Sequence, residues 1–200
     1  MTVTKAIKVF IADDHAIVRE GLKQILADTK DIIVAGEAEN GLDAIRSTRK
    51  SGCHVLLLDI SMPDRSGIEV LKQIKKESPN IAVLMLSMHR EDQYAIRSLK
   101  AGAAGYLNKQ SAPAELVNAI RQVAAGKKYI TAELAQELAN HFDDAQETSP
   151  HELLSDREYQ TLTMIASGKT VSDIANELTL FSQDDQHVSF TFIIKNETAQ

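Results

Sequence analysis

The sequence predicts an α/β protein built on a parallel sheet and followed by a small all-α module, and three observations carry that expectation. From residue 7 to about 125, short apolar runs alternate with longer segments of helical period, the pattern of repeated strand-helix units. Two of those runs, "HVLLLD" (54–59) and "AVLMLS" (82–87), are apolar on both faces, as strands covered by helices on either side should be. Beyond residue 150 the strand signal stops, and two capped helical segments follow one another across a glycine.

Five strands are expected, at 7–12 ("IKVFIA"), 32–38 ("IIVAGEA"), 54–59, 82–87 and 105–109 ("GYLNK"). Helices are expected between them near 15–27, 41–50, 67–77, 91–101 and 112–125, the last closed by Gly126 in a C-cap position. The next stretch, "KKYITAELAQELANHF" (127–142), holds a short helix, and "DDAQETSP" (143–150) is acidic, polar and proline-ended, a linker composition. In "SDREYQTLTMIASG" (155–168), Ser155 and Glu158 form a capping box, Leu162, Ile165 and Ala166 follow at helical spacing, and Gly168 is the stop. Thr170 with Asp173 then opens a second helix, "VSDIANEL" (171–178), with Ile174, Ala175 and Leu178 on one face. Two short helices joined by a tight glycine-containing turn outline a helix-turn-helix.

Two hundred residues with 44% apolar and 25% charged side chains suit one large or two small globular domains. A net charge of -6 supplies no general attraction to nucleic acid or an anionic membrane, so any DNA contact needs a local basic face. Cys53 is the single cysteine, which excludes a disulfide scaffold and cysteine-clustered zinc. His54, His89, His141, His151 and His187 show no metal-ligand spacing. The amino terminus has no signal-peptide core, and no apolar run approaches the roughly 18 to 20 residues a membrane helix requires, so a cytoplasmic protein without membrane attachment is expected.

In an open parallel sheet, ligands bind where the strands end, and here those ends are polar. Asp13 and Asp14 follow the first strand, Asp59 ends the third, Ser87 the fourth and Lys109 the fifth. Singly these have ordinary explanations: paired aspartates after a strand cap helices, a serine or lysine sits on a surface, and His15 is a first-turn helix residue. Together, with the strands side by side, they place three carboxylates, a hydroxyl and an ammonium in one pocket. Such carboxylates repel and shift one another's pKa unless a divalent cation neutralises them, and oxygen ligands in this number suit Mg²⁺. A carboxylate beside Mg²⁺ can take up a phosphoryl group as an aspartyl phosphate, which is acceptance and not steady turnover, so no enzyme is expected. A hydrolase or mutase working through such an intermediate usually needs a second carboxylate two residues after the nucleophile, where this chain has Ser61.

Residues 1–125, through "ADDH", "LLLDISMPDRSG", "LMLS" and "GYLNK", resemble the receiver domain of a bacterial two-component response regulator. The resemblance implies a flavodoxin-like, doubly wound five-stranded sheet of order 2-1-3-4-5. It implies Asp59 as phosphoacceptor, and Mg²⁺ bound by Asp14, Asp59 and the backbone carbonyl of Ser61, with Asp13 supporting it through water. By the same resemblance Lys109 holds the phosphoryl group, Ser87 donates a hydrogen bond to it, Tyr106 changes rotamer with Ser87, and Met62, Pro63 and Gly67 shape the loop over the pocket. A sensor histidine kinase as phosphodonor and a homodimer through receiver helices are implied as partners.

Residues 151–180, through "LSDRE", "IASGKTVSDIANEL" and "LTL", resemble the start of the LuxR-type helix-turn-helix of the NarL/FixJ class, with 126–150 as the linker. Ser155 to Ser167 and Val171 to Leu178 are then its scaffold helices, and the family's next segment is a recognition helix that reads promoter DNA. Residues 181–200 do not continue as one. With Ser182 taken as an AGY codon, translating "FSQDDQHVSFT" one base later permits Ser-Val-Lys-Thr-Ile-Ser-Thr, a string that resembles such a helix, so the tail reads as out of frame and the module as incomplete; the alternative is a genuine divergent terminus. Residues 151–180 also carry five acidic side chains (Glu152, Asp156, Glu158, Asp173, Glu177) against two basic ones (Arg157, Lys169), a poor footprint for phosphate contacts. The expected function is a phosphorelay regulator of transcription with impaired DNA binding; the alternative is a phosphorylation-dependent protein-interaction receiver that does not touch DNA.

Overall fold

The computed structural model describes residues 6–88, 92–111, 113–143 and 154–178. Strands β1 (Ile7–Ala12), β2 (Ile32–Ala38), β3 (Val55–Asp59), β4 (Ala82–Ser87) and β5 (Gly105–Asn108) form one parallel sheet in the order β2-β1-β3-β4-β5. Helices α1 (Ala16–Ala27), α2 (Gly41–Ser51), α3 (Gly67–Glu77), α4 (Asp92–Lys100) and α5 (Pro113–Ala124) alternate with the strands, and α6 (Ala132–Asp143), α7 (Asp156–Ala166) and α8 (Val171–Glu177) follow. This is the doubly wound order that the family resemblance implied, and the strand order reverses between β1 and β3, where such sheets open a crevice at their carboxyl edge.

Successive strand side chains point to opposite faces, so each central strand feeds two cores. Val9, Ile11, Val55, Leu57, Leu84 and Leu86 pack with Leu116, Ile120 and Val123 of α5 on one face, and Leu26 of α1 joins them. Phe10, Leu56, Leu58, Val83 and Met85 pack with Ile45 of α2, Leu71 and Ile74 of α3 and Tyr94 of α4 on the other. Every residue of β3 is buried, which explains its unbroken apolar run, whereas edge strand β2 leaves Ile33 46% exposed.

Beyond α5, the chain returns to the free edge of β5 through a parallel bridge between Gly105 and Tyr129. The expected short helix is α6, and it packs on α4 with Leu134 buried. Gly126 and Gly168 take positive φ (78° and 85°), and at Gly168 that left-handed turn lets α7 stop and α8 start within a few residues. The capping boxes Ser155/Glu158 and Thr170/Asp173 are both formed.

The buried face of α7 corrects the expectation. Leu162, Ile165 and Ala166 were to form it, but Tyr159, Gln160 and Met164 are buried and Ile165 is 49% exposed. The helix turns its aromatic and polar face toward α4, whose Tyr94 and Arg97 bind it, and Met164 joins Ile174 and Leu178 in a small separate apolar cluster. The linker residues 144–150, the tail 181–200, and His89, His151 and His187 lie outside the described residues.

Candidate functional site

Strand register alone assembles the site. Ala12 pairs with Leu58, so Asp13, one residue past β1, comes level with Asp59 at the end of β3. Asp59 pairs with Leu86, and Ser87 pairs with Asn108, which sets Ser87 and Lys109 at the same edge. The Lys109 N–H also donates to the Ser87 carbonyl at 2.7 Å. Asp13, Asp59 and Ser87 are each essentially buried, and Tyr106 is buried two residues back on β5.

The Lys109 ammonium lies 2.7 Å from Asp13 Oδ2 and 3.0 Å from Asp59 Oδ2, bridging the two carboxylates. Burial, with the Asp13 charge adding, pushes Asp59 up to about 6 against the opposing pull of Lys109 and the Ser61 amide. Burial also works against the Lys109 charge, but Asp59 and Asp13 outweigh it and hold its pKa above the ordinary lysine value. Asp59 is thus an anion at neutral pH in a place that resists one.

Asp14 is half-buried, and its Oδ1 lies 2.8 Å from His15 Nδ1. His15 is the N-cap of α1, one residue ahead of the helix where a first-turn position was expected, and its N–H donates to Asp13 Oδ1 at 2.9 Å. Among the described residues, Asp13, Asp14, His15 and Asp59 offer ligand atoms all within 4.8 Å of one another. Asp13 Oδ2, Asp14 Oδ1 and Asp59 Oδ2 are buried and find no donor beyond the charged contacts just given. Buried, hard, anionic oxygens short of donors are the set a small divalent cation fits.

The loop from Asp59 to α3 is held close to the strand. A Cβ on Gly67 would stand 2.1 Å from the Asp59 carbonyl oxygen, so only glycine lets α3 begin here. Ser66 caps α3 in a box with Glu69, and Met62 is fully buried under the loop. Two contributors were not visible in the sequence. Asp64 accepts from the N–H groups of Gly41 and Leu42 (2.7 and 2.9 Å), tying this loop to the start of α2. Arg19, on the first turn of α1, donates to the main-chain carbonyls of Asp13 and Asp14. Nothing in residue spacing points to either.

Helix α7 docks beside this loop. Asp156 Oδ2 lies 2.6 Å from Lys72 Nζ on α3, and Asp156 Oδ1 lies 3.5 Å from Arg97 Nη1 on α4. The Arg97 guanidinium stacks 4.4 Å from the Tyr159 ring centre and donates to the Leu154 carbonyl, and Tyr94 meets Tyr159 edge-on at 4.9 Å. Arg157 Nη2 donates to the carbonyls of Pro63 (2.9 Å) and Leu178 (2.8 Å).

The family model for the response regulator receiver domain matches residues 9–121. The chain belongs to the response regulator family. Response regulator UvrY of Escherichia coli (strain K12) is 40% identical to this regulator over 175 residues, which is 87% of this chain and 80% of UvrY. A LuxR-family two-component response regulator from Aurantimonas sp. SI85-9A1 is similar at 32% identity and a TM-score of 0.65, over 69% of this chain and 99% of that one. RcsB from Salmonella enterica serovar Typhimurium, in a structure bound to promoter rprA in the presence of the phosphomimetic BeF3-, is similar at 28% identity and a TM-score of 0.64, over 88% and 84%. The regulator is thus of the UvrY type and works in two-component control of transcription. Its family is regulatory, and no helix among the described residues is long and apolar enough to cross a membrane.

Proposed function

We propose that Asp59 accepts a phosphoryl group from a sensor histidine kinase in the cytoplasm and that this controls a transcriptional output. The observation that carries the reading is the convergence of Asp13, Asp14 and Asp59 with Lys109 at the carboxyl edge of the sheet. An Asp59 oxygen forms the new P–O bond as the donor's P–N bond breaks, and the leaving imidazole keeps the electron pair and regains a proton from solvent. Mg²⁺, held by Asp14, Asp59 and the Ser61 carbonyl with Asp13 behind a water, would neutralise charge on the transferring group. Lys109 releases its carboxylate partners to meet a phosphoryl oxygen, Ser87 donates to another, and Tyr106 follows Ser87. Incubation with a small acyl phosphate and Mg²⁺ is expected to add one acid-stable, base-labile phosphoryl mass, absent in Asp59→Asn; an equal yield in that variant would overturn the assignment.

The receiver spans residues 1–125 in this reading, 126–150 link it to a partial helix-turn-helix at 151–180, and the output is promoter binding by a homodimer. Sequencing the coding DNA past codon 180 tests the out-of-frame tail. A second reading, a receiver that signals through protein contacts alone, gains support from the charges. Arg157 is spent on carbonyls, Lys169 pairs with Glu177, and no basic face remains on α7 and α8. Duplex binding by the phosphorylated protein with a steep salt dependence favours promoter binding, and its absence favours the second reading.

A further inference from the structure

We propose that Arg19 is a positioning residue for the loop that carries Asp13 and Asp14, holding their two peptide planes so that the carboxylates face the cation. This rests on the reading of Asp13, Asp14 and Asp59 as the cation-binding carboxylates. The Arg19 side chain is 12% exposed, and its Nη1 donates to the Asp13 carbonyl at 2.8 Å and the Asp14 carbonyl at 3.3 Å. Its Nε stands 3.8 Å from Glu37 Oε2 and its Nη2 3.7 Å from Glu39 Oε2, so the fork reaches from the β1–α1 loop to the end of β2. Lys23 Nζ holds the same Glu37 oxygen at 2.9 Å, which fixes the far side of the fork.

The loop needs such a hold. Three carboxylates crowd one pocket and repel, and Asp13 and Asp14 can relieve that by rotating their peptide planes outward. The Asp13 N–H is tied to the Ala38 carbonyl at 3.1 Å and the His15 N–H to Asp13 Oδ1 at 2.9 Å, which holds the N–H sides of the loop and leaves the Asp13 and Asp14 carbonyls to Arg19. With both following carbonyls bound by one planar guanidinium, the remaining rotations are stopped. The same bonds turn those two carbonyl oxygens toward Arg19, which leaves the side-chain oxygens to meet the cation.

A guanidinium beside a cation site acts in two opposed ways, and the opposition makes a test. Its charge repels Mg²⁺, so deleting it for that reason alone tightens binding. Its fork preorganises the ligands, so losing the fork weakens binding, and outer partners of metal ligands are typically worth about 10- to 100-fold in affinity. Both carbonyls are held by Nη1 while Nε and Nη2 face Glu37 and Glu39; lysine keeps the charge but has a single nitrogen, so it cannot hold the carbonyls and face both glutamates at once.

The experiment is Mg²⁺ titration calorimetry on the full chain, wild type, Arg19→Ala and Arg19→Lys, with amide exchange of the metal-free proteins in parallel. Both variants are expected to bind Mg²⁺ about tenfold more weakly, and the His15 amide to exchange faster while the Leu57 amide in β3 keeps its protection. The proposal is overturned if Arg19→Lys matches wild type in both readouts, or if Arg19→Ala binds Mg²⁺ more tightly. A wild-type chain that takes up no Mg²⁺ sinks the cation-site reading itself, and this proposal with it.

Discussion

Asp59 is buried and faces a second carboxylate, so its own ionisation works against the fold. Its folded pKa of about 6 lies above the ordinary 3.8, so the folded state binds the proton more readily than the unfolded chain does. Stability therefore falls as pH rises through the window from about 4 to about 6, and stays lowered above it. Asp59→Asn removes that cost. In urea unfolding without Mg²⁺, the variant is expected to be more stable than wild type at pH 7.5 by on the order of 2 kcal/mol, with the advantage shrinking toward pH 4. Equal stabilities at pH 7.5 would contradict the burial argument. The residues of this cluster were legible in the sequence because each ends a strand, and parallel register brings strand ends together without further information. Arg19 and Asp64 were not, because their partners are main-chain groups met through loop geometry, which no periodicity encodes.

Helix starts were the best-specified elements, since a cap is a local arrangement of neighbouring residues. Ser155 binds the Glu158 N–H and Glu158 Oε2 accepts from the Ser155 N–H at 2.9 Å, as the sequence pattern indicated. Ser155→Ala is expected to cost about 1 kcal/mol, read as faster amide exchange confined to α7 and α8. Gly67→Ala is a harsher change, because the added carbon meets the Asp59 and Ile60 main chain and no flexible side chain can yield. A loss of about 3 kcal/mol in urea unfolding is expected, the upper end for overpacking. The buried face of α7 was misread for a physical reason. Periodicity shows which positions of a helix share a side, but its partner here is the aromatic and cationic surface of α4, which selects Tyr159 and Gln160 over Leu162 and Ile165.

Across the whole molecule, α7 rests on both flanks of the acidic pocket: α4, which follows Ser87, and the loop that follows Asp59. Arg97 serves three of these contacts at once, with Asp156, the Tyr159 ring and the Leu154 carbonyl. Arg97→Ala is expected to loosen the docking by about 2 kcal/mol, read as faster amide exchange throughout α7 with α3 and β3 unchanged. Unaltered exchange in α7 would mean that the remaining contacts suffice. The Arg157 fork gives the docking a direction of travel. One guanidinium grips the peptide after Pro63, on the loop that follows Asp59, and the peptide that closes α8. Through that shared side chain a strain at one end would reach the other, and coupling of that kind has no preferred sender. With Asp59 in its proposed role, whatever seizes the chain beyond Leu178 would tune how readily Asp59 is charged, by the same factor with which that charging tunes the grip, so the output end of this regulator would also be an input.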